Sequence, residues 1–422
     1  MGNITKIIVM NGGVETLDFF SNQMAETWKE KGISVFVFDL KNAGASAKRV
    51  RKFIKPGHTA LVTFNFEGLE READVYSEAS GYLWQEYQIP CYNIAADHPY
   101  FYDNRLRELL SDEKLHPGIL KNYHHLSIDR NHQSYFQKFY PEFDDAGFCP
   151  LAGTSLASDL SWQETCQTVS SSEMVQDQER KQRTTDVIFT GNYTEPSFFN
   201  KNIHWINEEY AAFYQGIINE LIVHPDRTIE EVELAHCERE MGANSTRDLR
   251  PALHKMIFID LYLRNYFRGK IVAAVCDAGI PVTVIGKGWE KLTLSHKENL
   301  KILPQTDSKA CLEALWNAKI SLNVMPWFKD GAHDRVFNSI LNGAVCVSDM
   351  SRYLCDELPE GFGVCYYDLN HPEQAVEKIR LLLSENDKRE QILEAGMPLV
   401  KKGHTWRNRA EQLLTLFAAA VV

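Results

Sequence analysis

Short apolar runs alternate with amphipathic stretches along the first part of the chain, up to residue 153. The apolar runs predict strands at Thr5–Asn11, Ile33–Leu40, Thr59–Asn65, Pro90–Ala96 and Tyr123–Ile128. The amphipathic stretches predict helices near Glu15–Lys31, Ala45–Ile54 and Ala73–Tyr87. Continuous apolar strands that are separated by helices favour a parallel sheet with both faces covered. Residues 1–153 are therefore predicted to form a Rossmann-like, doubly wound α/β domain.

A second alternation begins at residue 186, after a polar segment that is rich in Ser, Gln, Glu and Asp. We interpret this segment, residues 154–185, as a linker or a surface excursion. Strands are then predicted at Asp186–Thr190, Pro281–Ile285, Leu300–Leu303, Ile320–Val324, Ala344–Ser348 and Gly363–Tyr366. Helices are predicted over most of 198–278 and near Ser308–Ala318, Asp334–Leu341, Pro372–Ser384 and Glu390–Val400. Residues 186–403 thus predict a second Rossmann-like domain, and residues 404–422 a closing amphipathic helix.

The charge balance narrows the possible function classes. The 422 residues include 45 Lys and Arg but 57 Asp and Glu, which gives a formal net charge of −12. A basic nucleic-acid-binding surface is therefore not expected, and any phosphate chemistry must lie in a local pocket. The sequence contains no apolar run long enough to span a membrane, and its start lacks the features of a signal peptide. We therefore expect a cytoplasmic protein with no membrane span.

The nine cysteines are scattered along the chain and form no C-x-x-C motif. We interpret them as reduced, mostly buried thiols, which agrees with a cytoplasmic location. The spacing of Cys346, Cys355 and Cys365 raises the alternative of a metal site. Zinc ligands usually come in tight pairs, so no metal site is expected there.

The segment from Ile320 to Asp349 carries the strongest chemical pattern. It reads as a strand, a turn-rich loop, a helix with Asp334 as its N-cap and Gly343 at its end, and a further strand. A helix that starts after such a loop directs unpaired backbone N–H groups at an anion. Arg335 in the first turn adds a fixed positive charge, so a phosphate or diphosphate is the expected ligand. The alternative is that Arg335 pairs with a neighbouring carboxylate.

This segment resembles the donor-binding core of GT-B glycosyltransferases, in particular the CgeB-like proteins and the glycosyl transferases group 1 family. The motif residues are Asn323, Pro326, Gly331, Arg335, Phe337, Asn338 and Gly343. Further similar stretches are Asp186–Asn192, Asp260 with Arg264 and Arg268, Ile280–Trp289, His404–Trp406, Asp97–Pro99 and Ser127–Asp129. The resemblance implies the GT-B fold, with two Rossmann-like domains facing a central cleft. It also implies transfer of a hexose-type sugar from a nucleotide-diphosphate sugar without a metal or other cofactor, with UDP as the commonest nucleotide.

The resemblance carries a set of donor-binding residues over to this chain. Gly191, Asn192, His333 and Arg335 are expected at the diphosphate, Gly286 and Trp289 at the nucleoside, and Pro304 and Gln305 at the base. Asp330, Gly331, Asp334, Asn338 and Arg264 complete the predicted donor site. For Trp289 the alternative is a core aromatic beside a turn, and for Arg264 a structural ion pair.

One position departs from the family pattern. Retaining members often carry two glutamates eight residues apart, and the equivalent pair here is Asp330 and Asn338. Asn338 can hydrogen-bond ribose hydroxyls, but it supplies no carboxylate charge. The anomeric outcome of the transfer, inverting or retaining, is therefore left open.

The acceptor is expected on the N-terminal domain. Asp97 follows a predicted strand and is the candidate catalytic base, with His98 as the second candidate. The alternative is that Asp97 caps the turn before Pro99. Asn11, Gly12 and Gly13 follow the first strand, where glycine allows a ligand to approach the backbone closely. Glu67 follows the third strand and is also placed on the acceptor side, although capping of its loop is the preferred interpretation.

These patterns predict a glycosyltransferase that acts on an unidentified acceptor, which can be a glycan, a protein or a small molecule. Two alternatives remain open at this point. One is a catalytically silent GT-B-like subunit that binds carbohydrate or a partner. The other is a nucleotide-sugar epimerase on the same fold.

Overall fold

The structure is a computed structural model that describes residues 3–156, 183–204, 207–242 and 245–419. These residues form two compact units. The first unit contains residues 3–151, 245–255 and 406–419, and the second contains the rest. Most of the predicted linker, residues 157–182, lies outside the described part of the chain. A helix within the range predicted for the second domain, residues 246–255, belongs to the first unit together with the closing helix.

The first unit contains a sheet of six parallel strands. Its strands are β1 (Lys6–Asn11), β2 (Ser34–Asp39), β3 (Thr59–Phe64), β4 (Cys91–Ala95), β5 (Tyr123–Ser127) and β6 (Asp144–Phe148). Their order is β2-β1-β3-β4-β5-β6, so the chain reverses direction across the sheet between β1 and β3. Ile7, Ile8 and Val9 of β1 are completely buried, which is the expected burial of a central parallel strand. The five predicted strands of this domain are confirmed.

The sixth strand, β6, was not predicted because its sequence, DDAGF, is polar and interrupted. Gly147 has a φ of +116°, and the pairing of β5 with β6 shifts register between His125 and Leu126. A glycine in a left-handed conformation inside an edge strand marks a bulge. Such a strand lacks the apolar run from which the others were predicted.

The helix predicted over Ala73–Tyr87 is wrong. This segment forms a two-stranded hairpin, Tyr76–Ser77 with Gly81–Tyr82, followed by a four-residue helix at Leu83–Glu86. Gly81 has a φ of +74°, and a Cβ atom there would lie 2.4 Å from the side-chain oxygen of Gln85. Only glycine fits this turn, and its conformation ends any helix that the apolar spacing suggests.

Helices cover the first sheet and close the unit. They are α1 (Glu15–Glu30), α2 (Ala43–Phe53), α3 (Asp103–Leu115), α4 (Arg130–Phe139), a four-residue helix at Ile119–Asn122, the helix at Thr246–Lys255 and the closing helix Trp406–Ala419. The closing helix packs on α1, where the rings of Trp406 and Phe20 stack 4.3 Å apart. The indole N–H of Trp28 donates to the Ala410 carbonyl at 3.0 Å. These two contacts tie the end of the chain to its first helix.

The second unit contains another sheet of six parallel strands. Its strands are β7 (Thr185–Thr190), β8 (Val282–Ile285), β9 (Leu300–Leu303), β10 (Ala318–Asn323), β11 (Val345–Asp349) and β12 (Val364–Tyr367). The order is β9-β8-β7-β10-β11-β12, so the reversal lies between β7 and β10. All six strands confirm the sequence predictions to within two residues at each end. The predicted α/β class with two doubly wound sheets is thus confirmed.

The helices of the second unit fall into two groups. The long connection between β7 and β8 holds α5 (Glu208–Val223), α6 (Ile229–Met241), α7 (Ile257–Asp277) and a short helix at Asn200–Ile203. The helices after β9 are α8 (Ser308–Trp316), α9 (Asp334–Leu341), α10 (Arg352–Glu357), α11 (Pro372–Ser384) and α12 (Asn386–Gly403). Among the described residues, no helix is both long and apolar enough to cross a membrane.

Candidate functional site

Each sheet has one position where neighbouring strands are followed by connections that run in opposite directions. In open α/β sheets this topological switch point is where ligands bind, beyond the carboxyl ends of the strands. The switch point of the second sheet lies between β7 and β10, and that of the first sheet between β1 and β3.

Two glycine turns meet at the switch point of the second sheet. Gly191 follows β7 and donates its backbone N–H to the Ile285 carbonyl at 2.9 Å. Gly286 follows β8 with a φ of +151°, and a Cβ atom there would lie 2.3 Å from the Gly191 carbonyl oxygen. Gly286 therefore requires glycine for a close backbone approach, and Gly191 has a φ of +149°, a conformation that other residues rarely adopt. This explains the glycines of both motifs without any reference to a ligand.

The Trp289 side chain packs against these two turns and bonds to one of them. Its indole N–H donates to the Gly191 carbonyl at 2.8 Å, and its ring stacks on Tyr193 with centroids 5.1 Å apart. The side chain is completely buried. The structure thus agrees with the alternative interpretation of Trp289 as a core aromatic that holds the turn, and not with a wall of the nucleoside pocket.

Asn192 connects the two glycine turns with helix α7. Its side-chain oxygen accepts the backbone N–H of Lys287 at 2.9 Å, and its carbonyl accepts a guanidinium N–H of Arg268 at 2.9 Å. The Lys287 residue is exposed, and no carboxylate pairs with its ammonium group within the described ranges. Lys287 lies between the two glycines of the IGKGW motif, and the motif spacing alone indicates no role for it.

Arg335 lies at the carboxyl ends of β7 and β10, as the sequence predicts. Its guanidinium donates to Asn323 Oδ1 at 2.9 Å and to the carbonyls of Thr190 at 3.2 Å and Val324 at 3.0 Å. A Cβ atom on Gly191 would lie 3.0 Å from its Nη1, so the guanidinium lies directly against that glycine. Three of its five N–H groups are thus used within the protein, and two remain. Arg335 therefore connects the ends of strands β7 and β10, and its two remaining N–H groups can contact an anion.

The N-cap of helix α9 lies one residue before the predicted one. Its N-cap is His333, whose Nδ1 accepts the backbone N–H of Arg335 at 3.3 Å, so the prediction of Asp334 as the cap is wrong. The Asp334 carboxylate lies 2.5 Å from His333 Nδ1 and accepts an N–H of Asn338 at 2.9 Å. Burial, followed by the charge of Arg335 and more weakly that of Arg268, lowers the pKa of His333.

The Asn338 side chain bonds to two other parts of the protein. Its side-chain oxygen accepts the backbone N–H of Thr154 at 2.8 Å, while its amide donates to Asp334. Only 9% of the residue is exposed. Both polar groups of Asn338 therefore make contacts within the protein, and its contact with ribose hydroxyls stays a prediction.

The remaining donor candidates differ in placement. Arg264 forms a nearly buried ion pair with Asp260 on α7, which agrees with its structural alternative. Pro304 and Gln305 follow β9, the edge strand, two strands away from β7, and both are exposed. Asp330 is buried, and the Gly331 carbonyl accepts the Ser351 hydroxyl at 2.5 Å. The structure thus brings Gly191, Asn192, Gly286, His333 and Arg335 together and leaves Pro304 and Gln305 apart.

The switch point of the first sheet has the opposite charge. Gly12, after β1, donates its backbone N–H to the Asp18 carboxylate at 2.9 Å. The Glu67 side chain, after β3, accepts the backbone N–H of Val14 at 3.2 Å, and a Cβ atom on Gly13 would lie 2.0 Å from its Oε1. The residues predicted on the acceptor side therefore do meet, with Asn11 fixed beside them by a bond from its amide to Asn22 Oδ1 at 3.1 Å.

The two candidate bases of the sequence analysis lie beyond β4, which pairs with β3. Asn65 Oδ1, after β3, accepts the backbone N–H of Ala96 at 2.7 Å, which brings the residue before Asp97 close to the Glu67 loop. Asp97 is half-buried. His98 is only 3% exposed and its ring stacks on Tyr100 with centroids 3.8 Å apart, so the structure places His98 in the core.

Comparison with known proteins identifies the fold class. A glycosyltransferase from Rickettsia africae ESF-5 has a similar fold, with 9% sequence identity and a TM-score of 0.51 over 100% of this chain and 99% of that chain. Sucrose-phosphate synthase from Thermosynechococcus elongatus shares 9% identity, with a TM-score of 0.52 over 99% of each chain. T4 phage BGT in complex with its UDP-glucose substrate shares 10% identity, with a TM-score of 0.51 over 98% of this chain and 99% of that chain. The chain has the fold of the GT-B glycosyltransferases, and the GT-B prediction is confirmed.

The family comparison covers the C-terminal part of the chain. Residues 268–415 match the family model described as Glycosyl transferase-like, which confirms the resemblance to glycosyltransferases, whereas the CgeB-like subgroup stays a prediction. No curated protein sequence matches the chain. In the described part of the chain, no group of three or more His, Cys, Asp or Glu residues is placed to hold a metal ion.

Proposed function

We propose that this protein transfers a hexose-type sugar from a nucleotide-diphosphate sugar to an acceptor hydroxyl. In this proposal the second unit binds the donor and the first unit binds the acceptor. The observation that carries it is the contrast between the two switch points. Arg268 and Arg335 stand at one of them, next to the backbone of the exposed Lys287, whereas Asp18 and Glu67 stand at the other.

The cationic switch point suits a diphosphate for simple electrostatic reasons. A diphosphate leaving group develops negative charge as its bond to the sugar breaks, and preorganised cations stabilise that charge. The start of α9 adds the positive end of a helix dipole in the same place. Because several cations are already present, we propose that no divalent metal is needed at the diphosphate.

The acidic switch point suits a neutral acceptor. Carboxylates there would repel a phosphate, but they can accept hydrogen bonds from sugar hydroxyls. The nucleotide that we propose is uridine diphosphate. Its support is the similar fold of T4 phage BGT, whose structure contains its UDP-glucose substrate.

Replacement of Lys287 tests the donor site without disturbing the fold. Lys287→Ala removes an exposed charge that makes no side-chain bond within the described residues, so the melting temperature should stay unchanged. We expect the affinity for UDP to fall about 10-fold to 150-fold, because a hydrogen bond to a charged group contributes about 1.5–3 kcal/mol. Titration calorimetry with UDP measures the loss.

The matched control is Lys291→Ala, which removes a second exposed lysine four residues further along the chain. Its affinity for UDP should equal that of the wild-type protein. Equal affinities of both variants and the wild-type protein would contradict a role of Lys287. A wild-type protein that binds neither UDP nor UDP-glucose would overturn the proposed function itself.

A further inference from the structure

Glu67 occupies a distinct position in the first unit. It follows β3, whose neighbour β1 is followed by Gly12 and Gly13, so its carboxylate lies in the switch-point crevice of the first sheet. The absence of a side chain on Gly13 makes room for the carboxylate, since a Cβ atom would come within 2.0 Å of Oε1.

The bonding of this carboxylate is incomplete. Its Oε1 accepts one backbone N–H, from Val14, whereas no donor reaches Oε2 within the described ranges. No lysine or arginine of those ranges forms an ion pair with Glu67. Burial, and after it the charges of nearby acids such as Asp18, raises the pKa of Glu67 to about 7. A half-buried carboxyl group of this kind is suited to exchange a proton near neutral pH.

Hydrogen bonds fix the backbone of residues 65–67. Asn65 and Phe66 have φ values of +48° and +68°, conformations that side chains other than glycine seldom adopt. They are held by hydrogen bonds: the buried Asn93 Oδ1 accepts the Phe66 N–H at 2.8 Å, and the Thr63 hydroxyl donates to the Glu67 carbonyl at 2.7 Å. Reactive groups need such fixed supports, because small displacements of a reacting group reduce the rate strongly.

We propose that Glu67 is the catalytic base that removes the proton of the acceptor hydroxyl, an inference that rests on the proposed function. The acceptor oxygen attacks the anomeric carbon and forms a new C–O bond. The bond between that carbon and the diphosphate oxygen breaks, and its electron pair leaves with the nucleotide. The hydroxyl proton passes to Glu67 and is later released to water. Direct displacement of this kind inverts the anomeric centre.

Asp97 is the competing candidate, and the experiment separates the two. UDP-glucose serves as the donor and water as the acceptor, so that the released UDP and glucose are measured without knowledge of the natural acceptor. The variants are Glu67→Gln, Asp97→Asn and the control Glu70→Gln. Glu70 lies in the same loop and its carboxylate pairs with Arg105 at 2.8 Å.

We expect the rate of UDP release by the wild-type protein to rise as the pH increases through about 7, because the base must be ionised. Glu67→Gln should lower the rate by about 10²–10⁴-fold and remove this rise. Its affinity for UDP in calorimetry should stay that of the wild-type protein. Glu70→Gln should change the rate at pH 8.5 less than about twofold, since it removes no contact to the reacting hydroxyl. It should move the rise to slightly lower pH, because the charge of Glu70 helps to raise the pKa of Glu67.

The stereochemistry of the product gives a second readout. Glucose that is released from the α-linked donor should appear first as the β-anomer in NMR spectra recorded early in the reaction. Retention of the α-configuration would overturn the role of Glu67 as base. A Glu67→Gln rate equal to that of the wild-type protein, with the loss in Asp97→Asn, would assign the base to Asp97. If the wild-type protein does not bind UDP, it is the proposed function that fails.

Discussion

Single residues decide the charge of each switch point, and only some of them could be predicted. Arg335 and Gly191 were found because their motif spacing is fixed by a strand, a turn and a helix. His333 was missed as the N-cap of α9 because either of two adjacent polar residues can cap a helix, and the backbone angles decide between them. Glu67 was judged a loop cap because its burial and the missing cation depend on residues far away in the sequence.

Glu233 on α6 supplies a prediction at the same scale. It is completely buried, and no donor reaches either carboxylate oxygen within the described ranges. Burial raises the pKa of Glu233 well above its ordinary value. The native state therefore binds a proton that the unfolded state has lost, and stability falls as the pH rises above about 4.3.

We expect Glu233→Gln to remove this dependence. Relative to the variant, the wild-type protein should lose up to about 1.4 kcal/mol of stability per pH unit above that value. Urea unfolding at pH 5, 6.5 and 8 measures the difference. The control Glu238→Gln, an exposed residue on the same helix, should not change with pH in this way. Parallel pH profiles of the wild-type protein and Glu233→Gln would contradict the prediction.

At the scale of elements, the strands were predictable and the turns were less so. An apolar run between helices defines a parallel strand, so each central strand was found to within two residues. The apolar spacing in Ala73–Tyr87 fits a helix, but the left-handed Gly81 forces a hairpin there. Local periodicity cannot reveal which glycine takes a positive φ.

The packing of the closing helix on α1 can be tested by replacing Trp406. Its ring stacks on Phe20 and meets Phe64 edge-on at 5.9 Å, and 3% of the residue is exposed. Trp406→Ala should lower the free energy of unfolding by about 3–5 kcal/mol through loss of apolar contact and a cavity. Trp406→Phe should cost clearly less, because the indole N–H makes no hydrogen bond within the described residues. Equal losses in urea unfolding would contradict this packing.

At the scale of the whole molecule, the sequence predicted two Rossmann-like domains but not how the chain is shared between them. Residues 245–255 and 406–419 belong to the first unit, although both follow the start of the second. Such returns depend on contacts between distant segments, such as Trp28 with Ala410. The net charge of −12 likewise gives no hint of the cations that converge beside Gly191.

Calorimetric comparison of UDP with uridine tests most directly the central claim that this protein has a site for a nucleoside diphosphate. The two ligands share the nucleoside and differ in the charged group that Lys287, Arg268 and Arg335 are proposed to hold. We expect UDP to bind at least about a hundredfold more tightly than uridine, because hydrogen bonds to charged groups contribute about 1.5–3 kcal/mol each. Equal affinities for UDP and uridine, or no binding of UDP, would contradict a diphosphate site.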